Sequence, residues 1–497
     1  MPDNKLVVKI MLAKLQIYGL ATALMLASSL LHGQNPTLDS GAARDSPSPD
    51  SVTSLHPRNR YIIGEITIHG NRITKDYIIR RELFFRSGDS VYLPELVELF
   101  EKSKDELIKT HLFIDAVIFL QGFRGFVIDL QIDVKERWYV FPLPYARPVD
   151  RNLTAWGEKN YSLSRLDYGL KYIQYNFTGR NDNLVAWLIT GYSRQIDLSY
   201  DQPYADQSLR HGFGASFSYI EMYEVNALTV NNQQYFINSD SIPYASKYLS
   251  RQMSFSLRYY FRPAIKTKHF FRLAFTQVNI DSAVSVWNPQ YFRTGLRGVA
   301  YPEFSYVLNY NDLDYTPYPL KGVLFETGFL RRGINRDMNL WQIYAKSTES
   351  WPVAPKLYFN MQDLALLKLP LNQPFYNQQL LGYGDYYIRG LEKYVVDGEF
   401  AGLIRNTLMR DLVHFNIPFL RGTTHDIIPI RIFAKIYADA GYVYNQQPLT
   451  NTLCNSLLYS GGFGFDLVTF YDFVFRFECS FNQFGEKGLF FHISNYF

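Results

Sequence analysis

RQMSFSLRY, residues 251–259, sets Met253, Phe255, Leu257 and Tyr259 on one side of an extended chain and Gln252, Ser254, Ser256 and Arg258 on the other. Successive side chains point to opposite faces of a strand, so period two with one apolar face predicts a β-strand lying against an apolar medium. FVFRFECSF, residues 473–481, repeats the pattern, with Phe473, Phe475, Phe477, Cys479 and Phe481 opposite Val474, Arg476, Glu478 and Ser480. So does 212–219, where Phe213, Ala215, Phe217 and Tyr219 alternate with Gly212, Gly214, Ser216 and Ser218. The run from Trp341 to Trp351 begins and ends in the residue type favoured at membrane–water boundaries. A soluble β-sandwich shares the period, but its inner faces need a second apolar layer. Here small and charged residues occupy the other face, and short and long connections alternate. Both features predict a transmembrane β-barrel with a polar lumen.

The same reading extends outward to segments at about 136–144, 163–177, 182–193, 194–203, 210–226, 249–262, 266–280, 298–311, 319–333, 338–351, 355–369, 399–415, 429–443, 457–468, 472–482 and 488–497. That makes a barrel of 16 antiparallel strands over 136–497, an even number that returns both ends to the same side. The turns TGRND, RPAIKT, PVAP and FYD then fall on the periplasmic side. The long connections 227–248, 281–297, 370–398 and 444–456 fall outside. Alternation slips at 357–368 and 399–415, where bulges are expected.

Composition agrees. Aromatics reach 17% and charged residues only 19% of 497 residues, with a mean hydropathy of −0.16. Lipid-facing apolar residues alternating with lumen-facing polar ones average to such a value. A net charge of +4, with no basic stripe, argues against nucleic acid as a partner. Cys454 and Cys479 form no CxxC motif and are read as two free thiols.

Lys5, Lys9 and Lys14 precede the apolar run Ile17–Leu31, followed by His32-Gly33-Gln34. The run is shorter than the roughly 20 residues a helical span needs, so residues 1–33 read as a signal peptide. Residues 34–60, rich in Asp, Ser and Pro, cannot bury enough apolar surface to order themselves and read as a disordered linker.

Between linker and barrel, 61–135 predicts a small α/β domain of order β-α-α-β-β. Ile62–His69 alternates as a strand and ends at Gly70-Asn71. Thr74 stands as the N-cap of a helix over KDYIIRREL, FFRSGDSVY reads as a loop, and Leu96, Leu99, Phe100, Ser103 and Leu107 share one face of a helix over Leu93–Lys109. Strands at Phe113–Leu120 and Phe126–Val134 follow.

IxIxGN at Ile66–Asn71, the loop GDSVYLPEL and the passage LIKTHLFIDAVIF resemble the POTRA domain of the BamA/TamA-like outer-membrane assembly superfamily. The barrel resembles the surface-antigen branch of the same superfamily. Ile388-Arg389-Gly390-Leu391, in the longest outer loop, is similar to the family's (V/I)RG(F/Y) motif, with Leu391 where an aromatic is usual. Asp439-Ala440-Gly441, GGFGFD ending at Asp466, Tyr318-Pro319-Leu320-Lys321-Gly322, ERWYVFP at 136–142 and DRN at 150–152 add to the likeness. One POTRA-like module stands here, where the family's housekeeping assembly factor carries several. The resemblance implies a lumen-anchored loop whose Arg389 forks onto Asp439 or Asp466. The chemistry is independent of the family: Asp439 shares inward parity with Arg431, Lys435 and Tyr437, and a guanidinium can fork onto a carboxylate. Leu489, Phe491, Ile493 and Phe497 form the aromatic C-terminal strand that insertion machinery recognises in its clients.

The resemblance implies an assembly, insertion or translocation factor of the cell outer membrane, with its POTRA-like domain in the periplasm, acting on unfolded β-strand clients. Its partners would be unfolded outer-membrane or secreted proteins, the lipid bilayer and accessory lipoproteins. The periplasmic sheet edge would either accept client strands or serve as a spacer. A passive channel or dedicated secretion pore of the same fold is the alternative. An outer-membrane enzyme such as a phospholipase would need a Ser–His or metal set that the sequence does not assemble, so no catalytic residue, metal ligand or cofactor is expected.

Overall fold

The structure, a computed structural model, describes residues 59–148, 160–206, 208–243, 245–293, 295–418, 427–448, 450–469 and 472–494. The signal peptide (1–33), all but the end of the linker (34–60), the DRN stretch and Phe497 lie outside the described residues.

The small domain runs β1 (Arg60–His69), α1 (Asp76–Arg81), β2 (Ser90–Tyr92), α2 (Leu93–Lys109), β3 (Phe113–Arg124) and β4 (Val127–Glu136). Its sheet has the order β2-β1-β4-β3, with β1 and β4 parallel. Ile63, Ile78, Leu107, Ile128 and Leu130 are fully buried between sheet and helices. Two expectations are corrected. The stretch read as a loop, FFRSGDSVY, contains β2, which pairs with the start of β1. Thr74 does not cap α1, which follows Lys75 without a side-chain cap. Its hydroxyl instead meets the Tyr139 phenol at 3.1 Å and accepts from Asn176 Nδ2 at 2.9 Å, because a buried hydroxyl must find buried partners.

The barrel strands are β5 (Val140–Pro148), β6 (Leu166–Gln174), β7 (Asn183–Gly191), β8 (Ser193–Gln202) and β9 (His211–Met222). A hairpin, β10 (Glu224–Val230) and β11 (Gln233–Asn238), precedes β12 (Ser250–Ala264) and β13 (Thr267–Ile280). Helix α3 (Ser282–Trp287) precedes β14 (Gly298–Asn311), β15 (Gly322–Arg332), β16 (Leu340–Ala354) and β17 (Leu357–Leu369). The next connection holds α4 (Phe375–Gln378), β18 (Gln379–Leu381) and β19 (Val396–Asp397). The chain then completes β20 (Phe400–Pro418), β21 (Ile427–Tyr444), β22 (Leu457–Thr469), β23 (Val474–Asn482) and β24 (Lys487–Ser494).

Sixteen of these strands form one antiparallel sheet in chain order from β5 to β24, as the alternation predicted. Met253, Phe255, Leu257, Leu273, Phe275, Phe463, Phe477 and Phe491 all point outward and stand exposed. So do Trp341 and Trp351. Such a continuous apolar exterior is stable only in lipid. Among the described residues no helix is long and apolar enough to cross a membrane. Among those residues, too, no hydrogen-bonded ladder joins β5 to β24.

The two places where alternation slips have different causes. In β20 the register against β21 shifts between Asp411 and Val413, the expected bulge. In β17 the ladder to β20 is regular, but Leu364 and Leu366 point inward and are buried. The lumen is therefore not lined by small and charged residues throughout. At the outer ends of β17, β20 and β21 its wall is apolar, and the long loop covers it.

The small domain rests on the barrel end that carries the tight turns. Lys75 N donates to Gly179 O at 2.9 Å, and Glu82 accepts both Arg262 Nη1 (2.5 Å) and Nη2 (2.7 Å). Asp472 accepts from Arg137 Nη1 and pairs with His111 Nδ1, both at 2.9 Å. Burial pushes the Glu82 carboxyl up, but the guanidinium forked onto it outweighs this and holds it below the usual range. Burial likewise opposes ionisation of Asp472, and the hydrogen bonds from His111 and Arg137 outweigh it, holding that carboxyl well below the usual range.

Candidate functional site

The site is built where the loop between β17 and β20 enters the lumen. Ile388 and Leu391 are buried in an apolar cluster with Leu364, Leu366, Leu403 and Val443, so the loop is held first by apolar contact. Leu391 N donates to Ile388 O at 3.0 Å, closing a turn in which Gly390 takes a φ of +87°. A Cβ there would also come within 2.9 Å of Ser480 Cβ, so the position requires glycine twice over.

That turn aims Arg389 at the wall. Its Nε and Nη2 reach Asp439 Oδ2 and Oδ1 at 2.9 and 2.5 Å, and its own backbone N–H reaches Oδ2 at 3.1 Å. Nη1 donates to Thr407 Oγ1 at 3.0 Å, and the guanidinium lies 4.1 Å from the Tyr437 ring centre. Arg389 is 8% exposed and Asp439 3%. A bidentate, charge-assisted pair of this kind fixes direction as well as distance.

Asp466 is engaged elsewhere. It meets Lys435 Nζ at 2.6 Å and accepts from the Tyr318 phenol at 2.9 Å, which gives the YPLKG turn a fixed place beneath the lumen wall. Lys435 also donates to Glu478 Oε1 at 2.7 Å. The register explains that reach. Lys435 on β21, Gly464 on β22 and Glu478 on β23 lie in one cross-strand row, and the glycine leaves the row clear. Gly462 serves the neighbouring row: a Cβ there would stand 2.5 Å from the Tyr437 hydroxyl, which bonds Ser480 Oγ at 2.6 Å. Gly462 and Gly464 of GGFGFD are thus gaps across which long side chains of β21 meet β23.

No protein-family profile matches the chain, and no curated protein matches it in sequence. Solved structures are similar to it. BamA from Haemophilus ducreyi lacking POTRA domains 1–3 is 16% identical, with 87% of this chain and 84% of that one covered and a TM-score of 0.48. CdiB from Acinetobacter baumannii is 12% identical over 87% of this chain and 73% of that one, with a TM-score of 0.47. CdiB from Escherichia coli is 12% identical over 90% and 91%, with a TM-score of 0.42.

Of the residues singled out in the sequence, Ile388, Arg389, Gly390, Leu391 and Asp439 come together, and Asp466 belongs to the adjoining lysine cluster. Leu489, Phe491 and Ile493 are exposed on the outer face of β24. Cys454 is buried in an outer loop, and Cys479 lies on the outer side of β23; both thiols are free. Three further anchors of the loop were not singled out. Arg405 donates from Nε to Tyr387 O and from Nη2 to Asp385 O, each at 2.9 Å. Lys368 Nζ donates to the carbonyls of Asn377 (2.6 Å) and Gln379 (2.7 Å). Asn482 Nδ2 donates to Gly390 O at 2.9 Å. The inward parity of Arg405 and Lys368 was available as a signal, but parity alone names no partner.

Proposed function

We propose that this chain is an outer-membrane factor of the BamA/TamA-like superfamily that inserts or translocates unfolded β-strand clients, with the small domain in the periplasm. The observation that carries this reading is the loop latched into the lumen through Arg389 and Asp439, within a barrel whose first and last strands share no ladder among the described residues. A channel plugged by its own outer loop shares this lumen latch, and it is the available strand edges that favour handling of strands over passive flow. Edge strands β5 and β24, which share no ladder among the described residues, offer backbone N–H and C=O groups to an incoming strand. β3, at one edge of the small sheet, carries exposed Val117, Phe119 and Phe123 and offers a second edge for strand addition. The work is done by sheet edges and local bilayer thinning, not by covalent chemistry. Partners would be unfolded outer-membrane or secreted proteins, the lipid bilayer and accessory lipoproteins.

Depletion followed by outer-membrane proteomics tests this. Loss of several barrel proteins supports insertion, and loss of one secreted protein marks a dedicated exporter. An unchanged outer-membrane and secreted proteome overturns both.

A further inference from the structure

Three side-chain atoms converge beside the latch. Glu392 Oε1 comes from the loop just past Leu391, Glu478 Oε2 from β23 and His492 Nε2 from β24. His492 Nε2 stands 3.6 Å from the first and 3.5 Å from the second, and all three lie within 4.8 Å of one another. Those separations are too long for good hydrogen bonds. Each of the three atoms is buried, and among the described residues none has a hydrogen-bond partner. The Glu478 side chain is only 1% exposed, so an unpartnered oxygen there is costly.

The other oxygen of each carboxylate is already committed. Glu392 Oε2 accepts from Gly390 N at 2.7 Å, and Glu478 Oε1 takes Lys435 Nζ at 2.7 Å with Arg389 Nη1 at 3.9 Å. The His492 ring stacks on Tyr387 with centroids 5.5 Å apart. Each side chain is therefore held by a second contact, while one atom of each is left unpartnered within 4.8 Å of the other two.

We infer that Glu392, Glu478 and His492 form a binding site for a first-row divalent transition-metal ion, with zinc as the natural probe. Tetrahedral zinc with bonds of about 2.0–2.1 Å needs ligand atoms roughly 3.3 Å apart, close to the two His492 distances. Two carboxylates and one imidazole suit zinc, manganese or iron(II) better than calcium or magnesium, which favour all-oxygen sets. The ion would staple the outer loop to the last two strands of the barrel. The competing arrangement is an imidazolium shared between two carboxylates, which binds no metal. This inference stands apart from the client-insertion reading, because it is read as metal binding on the purified chain.

The test uses the full-length protein in detergent, stripped of metal and titrated calorimetrically with Zn²⁺. One ion per chain is expected, with affinity falling at least about tenfold in Glu392→Gln and in His492→Ala. Heat-modifiable migration checks that each variant has folded. The parent alone gives a second readout: Co²⁺ should produce a visible ligand-field band that Zn²⁺ abolishes. Absence of saturable Zn²⁺ binding and of the Co²⁺ band in the parent overturns the inference. So does Zn²⁺ binding that both folded variants retain.

Discussion

Arg389 lays its guanidinium edge along the Asp439 carboxylate, Nε to Oδ2 at 2.9 Å and Nη2 to Oδ1 at 2.5 Å, joining a loop to strand β21 inside the lumen. Arg389→Ala would leave Asp439 buried and uncompensated, which costs on the order of 3–5 kcal/mol when burial is complete and less where water enters. The barrel strands remain intact, so insertion should persist while the loop loosens. Arg389→Lys should restore the loop only in part, since an ammonium cannot fork across two oxygens. Limited proteolysis around Lys393, with growth after depletion of the parent, measures both effects. Parent-like behaviour of Arg389→Ala, Arg389→Lys and Asp439→Asn in both assays would show that the latch does not hold the loop.

Gly390→Ala tests the turn independently of charge. The substitution puts a Cβ on a residue at φ +87° and presses it against Ser480. The left-handed conformation costs roughly 1–2 kcal/mol for an ordinary residue, before the steric contact is counted. Proteolytic release of the loop should therefore increase, though less than in Arg389→Ala. Equal protection in Gly390→Ala and the parent would contradict the turn geometry.

Docking of the small domain should depend on acidity. The Asp472 carboxyl is held well below its ordinary value by His111 and Arg137. A depressed carboxyl contributes its stabilisation fully above the unfolded value of about 3.9 and loses it as pH falls through the folded value. Glu82, held down by Arg262, acts in the same sense. Spin labels on the small domain and on a tight barrel turn should report a fixed distance above about pH 5. The distribution should broaden in strongly acidic solution. Asp472→Asn should widen it at neutral pH, and a distribution identical to the parent's would remove this latch from the account.

The strands were legible because all but two of them repeat one physical demand, an apolar residue toward lipid at every second position. The inward parity of Asp439 and Asp466 was legible for the same reason. Which of the two meets Arg389 was not. That depends on strand register and on the glycine gaps at 462 and 464, and periodicity does not encode either. The apolar wall behind the loop was misread, since inward Leu364 and Leu366 break the alternation only because a loop covers them. The pair Glu82–Arg262 joins two domains through a turn that local sequence marks merely as a turn. Glu392 and His492 belong to a loop and a strand distant in sequence, so no spacing motif could announce them.

The small domain should fold when separated from the barrel, and where the cut falls should matter. Its core holds Ile63, Ile78, Leu107, Ile128 and Leu130, all from 59–136, but Tyr139 also packs into it and donates to Leu112 O at 2.9 Å. A fragment ending at residue 136 loses that ring and leaves the Leu112 carbonyl and the Thr74 hydroxyl short of a partner. Removing a buried aromatic side chain costs about 3–5 kcal/mol in a well-packed core, and less here because the fragment exposes the site to water. A fragment of residues 59–141 should therefore unfold cooperatively in urea, followed by circular dichroism, at a higher midpoint than 59–136. Tyr139→Ala in the longer fragment should bring its midpoint down to that of the shorter one. A longer fragment without a cooperative transition would mean that the domain owes its order to the barrel turns beneath it.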